Sequence, residues 1–305
     1  MNEEKRKNIQ SIEDIRATAR QADEEIERMK AEMSQVEKGV KEEKRKAASE
    51  AIRRLKLGLD PVELPTNFEE MKKRYQYDPS KFHLAVAGMS GTGKSSLINS
   101  FRGIGIGKKS KDAAATDFVE CTKEVTRFPD KARPSIVWFD VPGVNTLNVP
   151  DWRYFNDQGL YIFQAIIVLF SSRFTATDIA ILRNCERYKI PTYLVRSQSD
   201  VAIREIVREK IDEDDFILAA VDPAIMKEAR TEFITRTEAN VAHNLKQAGL
   251  KHQRVYTVSR GTLYDVVANK TSQKTMFLHE MELLEDIIKT ALERRGVDVT
   301  DVNDF

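Results

Sequence analysis

The residues best suited to chemistry form one glycine-rich run that begins at Gly88 and ends at Ser95. The run matches the pattern G-x-x-x-x-G-K-[ST] at every fixed position. Its members are Gly88, Met89, Ser90, Gly91, Thr92, Gly93, Lys94 and Ser95, and Ser96 follows them. Glycines let backbone N–H groups curl around a phosphate chain. We therefore expect these residues to bind a nucleotide, with Lys94 at the β- and γ-phosphates and the Ser95 hydroxyl on Mg²⁺.

A second candidate group is the aspartate of the run 138–143, which ends an apolar stretch. In this D-x-x-G pattern we expect Asp140 to hold Mg²⁺ through water and the Gly143 N–H to sense the γ-phosphate. The next residue is Val144, whereas Ras-like enzymes have a glutamine there that orients the attacking water. Hydrolysis would therefore need another group.

A third candidate group could recognise the base, and it follows a predicted strand over 192–195. GTPases recognise guanine here with the pattern [NT]-K-x-D, and this chain has Ser197, Gln198, Ser199 and Asp200 instead. Asp200 can accept hydrogen bonds from the two donors of guanine, which adenine lacks. Charge-assisted bonds of this kind contribute about 1.5–3 kcal/mol each. Asp200 therefore favours guanine even where Gln198 replaces the lysine.

Two weaker signals complete the predicted site. The segment 111–126 should hold the loop that closes on the γ-phosphate, and such a loop needs a threonine to complete the Mg²⁺ shell. Thr116 and Thr122 both qualify, and their spacing does not decide between them. The apolar run 255–258 ends at Ser259, whose backbone could face the guanine oxygen. A plain strand end is the other interpretation of that serine.

The elements that position these groups alternate between apolar runs and helical patterns from residue 82 onward. This alternation predicts an α/β fold, namely a P-loop GTPase domain with a doubly wound, mostly parallel sheet. We place this domain at residues 61–268. The longest apolar run, residues 160–170, is predicted to be one buried strand. Residues 269–305 are predicted to form a C-terminal helix and tail, which would join the N-terminal segment in a helical appendage.

The N-terminal segment, residues 1–60, carries an apolar seam from Ile12 to Val40. Its steps alternate between three and four residues, which predicts a heptad-patterned helix. Two interpretations stay open. The helix packs on other helices of its own chain, or it forms a coiled coil with another chain.

The bulk composition excludes several classes of protein. Lys and Arg number 49 against 48 Asp and Glu, so net charge does not suggest a nucleic-acid partner. The two cysteines, Cys121 and Cys185, form no disulfide framework, and we expect both to be buried apolar residues. Residues 1–10 lack the apolar core of a signal peptide, and the longest apolar run is too short to span a bilayer. We therefore expect a cytoplasmic protein.

Four runs together resemble one known family: SSLINSFRGIG, AAATDFVECT, FDVPGVNT and SSRFTATDIAIL. Over residues 80–265 the sequence resembles the immunity-related GTPases, the interferon-inducible group of the dynamin-like superfamily. The resemblance implies binding of GTP and GDP, self-assembly through GTPase domains, and peripheral action on intracellular membranes. It also implies that Glu120 acts in hydrolysis, beside Lys94, in place of the missing glutamine.

These observations favour one principal hypothesis, a GTP-hydrolysing switch whose nucleotide state controls self-assembly into a homodimer or larger oligomer. The alternative is a nucleotide-holding scaffold with negligible turnover that reaches its partners through the coiled coil. The replacement of lysine by Gln198 and a C-terminal segment shorter than the family's favour this alternative. An unrelated P-loop ATPase is a third interpretation, and Asp200 argues against it.

Overall fold

The computed structural model describes residues 28–30, 33–36, 38–42, 45, 68–105, 112–114, 124–143, 154–211, 221–270 and 278–294. The chain divides into two compact units, residues 1–54 and 55–305. Four residues with predicted roles lie outside the described part: Thr116, Glu120, Cys121 and Thr122. What the sequence predicts for them stays a prediction.

The second unit is built on a six-stranded sheet with the order β2-β3-β1-β4-β5-β6. The strands are β1 Phe82–Ala87, β2 Thr126–Pro129, β3 Ile136–Asp140, β4 Ala165–Phe170, β5 Thr192–Arg196 and β6 Val255–Thr257. Strand β2 pairs antiparallel with β3, and the other four pairings are parallel. The predicted α/β fold with a mostly parallel sheet is confirmed.

Eight α-helices are described in this unit. They are α1 Phe68–Arg74, α2 Lys94–Phe101, α3 Tyr154–Asp157, α4 Ala176–Tyr188, α5 Ser199–Lys210, α6 Pro223–Gln247, α7 Arg260–Val267 and α8 Glu280–Arg294. Helices α2 to α6 lie between strands along the chain. Helix α4 begins with a capping box, in which the Thr175 hydroxyl accepts from the Asp178 N–H and the Asp178 carboxylate accepts from the Thr175 N–H. Cys185 of α4 is buried, as the sequence predicts, and burial raises the pKa of its thiol.

The central strands β1, β3 and β4 are buried at every residue, which explains why they are almost entirely apolar. In β1, Ala85 and Ala87 face an apolar cluster that includes residues of α4 and α6. Phe82, Leu84 and Val86 alternate onto the opposite cluster, which includes residues of α2, α7 and α8. The helices therefore form a layer on each face, and the carboxyl ends of the parallel strands share one edge.

The apolar run 160–170 is not one strand, which corrects the sequence-based prediction. Residues Leu160–Ile162 form a single 3₁₀ turn, and the strand begins at Ala165. Gln164 separates the two, because its side chain is committed to the start of β1. Its Oε1 accepts from the His83 N–H at 2.6 Å, and its Nε2 donates to the Lys81 carbonyl at 3.3 Å.

The C-terminal helix, which the sequence predicts within residues 269–305, packs on the sheet. Leu283, Ile287 and Ala291 of α8 are fully or almost fully buried in the same cluster as β1 and β3. Tyr193 of β5 also donates to the backbone carbonyl of Asp286 in α8 at 3.0 Å. The apolar face of α8 is therefore used within the unit of the sheet.

The described residues of the first unit are helical, as the heptad spacing predicts for this part of the seam. Met29, Met33, Val36 and Val40 are exposed by 52%, 64%, 65% and 45%. Their spacing of four, three and four residues places them on one side of a helix. We call these four residues the apolar stripe.

His83 makes the stability of the sheet depend on pH. Its ring is fully buried, with Tyr77 edge-on at 4.3 Å and Phe139 at 5.5 Å between centroids. Burial, with a smaller contribution from Arg127, lowers the pKa of His83 to about 4. Since the unfolded chain binds a proton near pH 6.5, folding loses stability as pH falls from about 6.5 toward 4.

Urea unfolding should show that protonation of His83 alone lowers the free energy of unfolding by about 2–3 kcal/mol between pH 7 and pH 4.5. The measured quantity is the difference between the wild type and His83→Gln, because carboxylates contribute equally to both. His252→Gln, at an exposed histidine, is the control and should follow the wild-type curve. Parallel curves for wild type and His83→Gln would contradict this prediction.

Candidate nucleotide-binding site

The phosphate loop connects β1 to α2, as the sequence predicts. Gly88 has φ +139°, and a Cβ there would lie 2.1 Å from the carbonyl oxygen of Leu169 in β4. Gly91 and Gly93 have φ values of +79° and +91°, and Gly93 is the N-cap of α2 without a side-chain hydrogen bond. Glycine is therefore required at Gly88 by contact and at the other two positions by conformation. This backbone points the first N–H groups of α2 toward the interior of the loop.

Lys94 lies across the phosphate loop with only 7% of its surface exposed. Its ammonium donates to the carbonyl of Met89 at 3.0 Å and to that of Gly88 at 3.3 Å. The Thr92 hydroxyl also donates to the Met89 carbonyl, at 2.9 Å, and so narrows the loop. A buried cation held by neutral carbonyls is well placed to receive an anion, because a charged oxygen makes a stronger hydrogen bond than a carbonyl does.

The two predicted Mg²⁺ ligands that the structure describes lie together. The Ser95 hydroxyl at the start of α2 donates to the Asp140 carboxylate at the end of β3. The strand register explains this contact, because Asp140 in β3 pairs with Val86 near the end of β1, just before the phosphate loop. Asp140 is 2% exposed. A hydroxyl and a carboxylate supply the oxygen ligands that Mg²⁺ prefers. The residues present therefore fit this ion.

The D-x-x-G loop lies directly against the phosphate loop. The Val141 N–H donates to the Val86 carbonyl at 3.2 Å, which extends the pairing of β3 and β1 by one residue. A Cβ on Gly143 would lie 2.6 Å from both the Cα and the N of Ser90. Only glycine allows this approach, so Gly143 is brought to the face of the phosphate loop where the sequence places it.

The base side of the site is a cavity of about 280 Å³. The structure brings six of the predicted residues to its wall, namely Thr92, Gly93, Ser96, Ser197, Gln198 and Asp200. Its other lining residues are Leu97, Val201, Val258 and Arg260. Sequence reasoning missed these four, although Arg260 follows directly after the candidate Ser259.

Two hydrogen bonds join the base side to the phosphate side. The Ser197 hydroxyl donates to the Thr92 carbonyl at 2.7 Å, and the Gln198 amide donates to the Gly91 carbonyl at 3.3 Å. Gln198 has φ +57° and precedes the first residue of α5. Its side chain therefore reaches the phosphate loop from the position where GTPases have lysine.

The predicted guanine contact of Ser259 is not supported by the structure. The Ser259 N–H donates to the Glu280 carboxylate at 2.9 Å, and its hydroxyl accepts from the Thr262 N–H at 3.2 Å as the cap of α7. Glu280 is fully buried, and it also accepts from the Leu278 N–H at 2.7 Å. Burial raises the pKa of the Glu280 carboxyl group. The backbone N–H and the side chain of Ser259 are thus both used in hydrogen bonds within the protein. The neighbouring residue Arg260 lines the cavity instead.

The strand order and the three loops define the class of protein. The phosphate loop follows β1, the Asp140 loop follows β3, and the base-side loop follows β5, all at the carboxyl edge of one sheet. This is the arrangement of a P-loop domain of the GTPase type. The family model described as interferon-inducible GTPase (IIGP) matches residues 48–294. The chain belongs to this family.

The relatives are similar over part of their length. Mouse interferon-inducible GTPase 1 is 34% identical over 125 residues, which is 41% of this chain and 30% of that protein. Rat interferon-inducible GTPase 5 is 24% identical over 213 residues, or 70% of this chain and 42% of that protein. The chain therefore spans less than half the length of these two relatives.

Solved structures with similar chains were also found. The bacterial selenocysteine-specific elongation factor EF-Sec has a TM-score of 0.37 and 18% identity, covering 72% of this chain and 29% of its own. The G domain of the T. maritima FeoB iron transporter has a TM-score of 0.36 and 17% identity, and the match covers 69% of this chain and 99% of that domain.

Proposed function

We propose that this chain binds GTP and GDP with Mg²⁺ and hydrolyses GTP. The observation that carries the proposal is the pair of bonds from Ser197 and Gln198 to the phosphate loop. Because of these bonds, Asp200 in the first turn of α5 borders the same cavity as Thr92 and Gly93 of the phosphate loop. A guanine nucleotide suits this cavity, since its base offers a carboxylate two donors and its phosphates offer Lys94 a negative charge.

Each described residue then has a role in binding. Lys94 exchanges its two carbonyl partners for phosphate oxygens, and Asp200 orients the base. Ser95 and Asp140 hold Mg²⁺, which when bound neutralises charge on the β- and γ-phosphate oxygens. The Gly143 N–H donates to the γ-phosphate. We propose that Glu120 acts in hydrolysis in place of the missing glutamine, because the resemblance implies a role in hydrolysis and residue 144 is valine.

The direct test compares GTP, GDP and ATP by calorimetric titration in the presence of Mg²⁺. GTP and GDP should bind, and ATP should bind at least about tenfold more weakly, since the adenine edge lacks both donors that Asp200 accepts. Equal affinity for GTP and ATP would contradict the proposal.

We also propose that turnover is slow and is stimulated by assembly. The missing glutamine supports a rate well below the roughly 10 s⁻¹ median of enzymes. Turnover per protein should rise with protein concentration if two GTPase domains complete each other's sites. The alternative, a nucleotide-holding scaffold, is favoured by Gln198 in place of the lysine. A negligible rate at every protein concentration would support that alternative.

The proposed partner in assembly is a second copy of this chain, which would meet the apolar stripe. Four apolar side chains that are each about half exposed or more leave a continuous surface to cover. An identical copy offers the same four-three-four spacing, which is the spacing that packs in a coiled coil. The surrounding residues Lys30, Lys38, Lys41 and Glu42 are charged and exposed, and would remain at the rim of the pairing.

Replacing Met33 and Val36 together by glutamate should shift the protein toward monomer, because two charges would enter the proposed seam. Sedimentation with GDP and with a non-hydrolysable GTP analogue measures this, and the wild type should be at least dimeric with the analogue. Ser34→Glu with Gln35→Glu is the matched control, since it adds the same charge to the same helix outside the stripe. A wild type that is monomeric with both nucleotides would rule out assembly through the stripe.

A further inference from the structure

Tyr154, the first residue of α3, is bonded to the loop that carries Gly143, beside the predicted γ-phosphate position. Its side chain is 1% exposed, and its hydroxyl donates to the Pro142 carbonyl at 2.8 Å. One buried hydroxyl therefore holds the residue that precedes Gly143.

The bond to Pro142 has a geometric consequence for Gly143. The Pro142 carbonyl and the Gly143 N–H belong to one peptide unit, and the described backbone contains no cis peptide bond. In a planar trans peptide the carbonyl and the N–H point in opposite directions. Holding the Pro142 oxygen at Tyr154 therefore fixes the direction of the Gly143 N–H on the other side of the peptide.

The glycine of this peptide lies close to the phosphate loop. Gly143 lies so near Ser90 that a Cβ would overlap its backbone, and Gly143 itself is buried. The peptide thus has Tyr154 on its carbonyl side, and its glycine lies against the phosphate loop. Neither neighbour leaves the peptide room to rotate freely.

We infer that Tyr154 is a positioning residue that aims the Gly143 N–H at the γ-phosphate and so determines the preference for GTP over GDP. The inference rests on the proposed function, because it assigns a partner to the γ-phosphate contact of that site. Tyr154 touches no phosphate itself and acts through the Pro142–Gly143 peptide. Burial also raises the pKa of Tyr154, so its hydroxyl keeps its proton at neutral pH and can donate.

The test is the ratio of GDP to GTP dissociation constants in Tyr154→Phe, measured with GDP and a non-hydrolysable GTP analogue. The ring stays in place, so the variant should fold. Loss of one net hydrogen bond should weaken binding of the analogue about five- to tenfold. Binding of GDP, which has no γ-phosphate, should change less than about twofold.

Tyr193→Phe is the matched control, because it makes the same change at a second buried tyrosine. The Tyr193 hydroxyl donates toward α8, with the Asp286 carbonyl at 3.0 Å and the Thr290 hydroxyl at 2.7 Å, and lines neither loop. Both variants should lose similar thermal stability, and only Tyr154→Phe should change the nucleotide ratio.

A Tyr154→Phe protein with the same ratio as Tyr193→Phe would overturn the inference while leaving the proposed function intact. A wild type that binds neither GTP nor GDP would overturn the proposed function, and the inference with it. These two failures are distinguished by the wild-type titration alone.

Discussion

Replacing Lys94 by alanine should weaken binding of GTP and GDP by at least about a hundredfold, which places it beyond ordinary calorimetric titration. The reason is that Lys94 is the lysine of the phosphate loop, and it is almost completely buried. Charge-assisted hydrogen bonds contribute about 1.5–3 kcal/mol each, and a triphosphate would accept at least two of them from this ammonium. Water cannot fully substitute at a buried position.

The fold should survive this change, because the Lys94 side chain contacts the loop and takes no part in the apolar clusters. Lys81→Ala is the matched control. Lys81 lies at the opposite end of β1, is 33% exposed and pairs with Asp78 at 3.8 Å. The Lys81→Ala substitution also removes one positive charge from the protein, and it should leave nucleotide affinity unchanged. If Lys94→Ala and Lys81→Ala bind GTP equally well, the phosphate site lies elsewhere.

Replacing Asp200 by asparagine should exchange the preferred base from guanine to xanthine. An aspartate accepts two hydrogen bonds from guanine, whereas an asparagine can donate one and accept one, which matches the edge of xanthine. GTP binding should fall about tenfold or more, and xanthosine triphosphate should bind better to the variant than to the wild type. The cavity wall should be unchanged, because the two side chains have nearly the same shape.

Competition between the two triphosphates for one labelled nucleotide measures the exchange. Glu205→Gln on the same helix is the control, since it neutralises an exposed carboxylate that pairs with Arg208 three residues further along the helix, at 2.9 Å. Exposed pairs of this kind contribute little. An unchanged preference in Asp200→Asn would mean that Asp200 does not contact the base, even though it lines the cavity.

The phosphate side of the site could be predicted because its chemistry lies in consecutive residues. The glycines, Lys94 and Ser95 have fixed positions along the chain, and the loop geometry follows from those positions. Asp140 was also predictable, since an apolar strand that ends in aspartate places its carboxylate at the carboxyl edge of the sheet. Alternation of strands and helices was sufficient for the fold class.

The residues that could not be predicted depend on partners that are distant along the chain. The end of an apolar run predicts a base contact for Ser259. Its backbone N–H instead donates to the Glu280 carboxylate, and nothing near Ser259 in the sequence indicates that bond. Tyr154 has no motif around it, and its role appears only when the Pro142 carbonyl is located. In the sequence, Gln164 is a single polar residue within an apolar run that predicts one strand. Its hydrogen bond to β1 is visible only in the structure.

The central position of β1 has a consequence for synthesis of the chain. Its neighbours β3 and β4 are both synthesised later. Leu84 of β1 can pair on its β4 side only after Ala165 has been synthesised. These partners are separated by about 80 residues, which a ribosome adding about 5–20 residues per second needs several seconds to make. During that time the edge of β1 that faces β4 has no partner strand, and unpaired strand edges are prone to aggregation. The order of strands therefore makes the nascent chain a natural client for chaperones until β4 emerges.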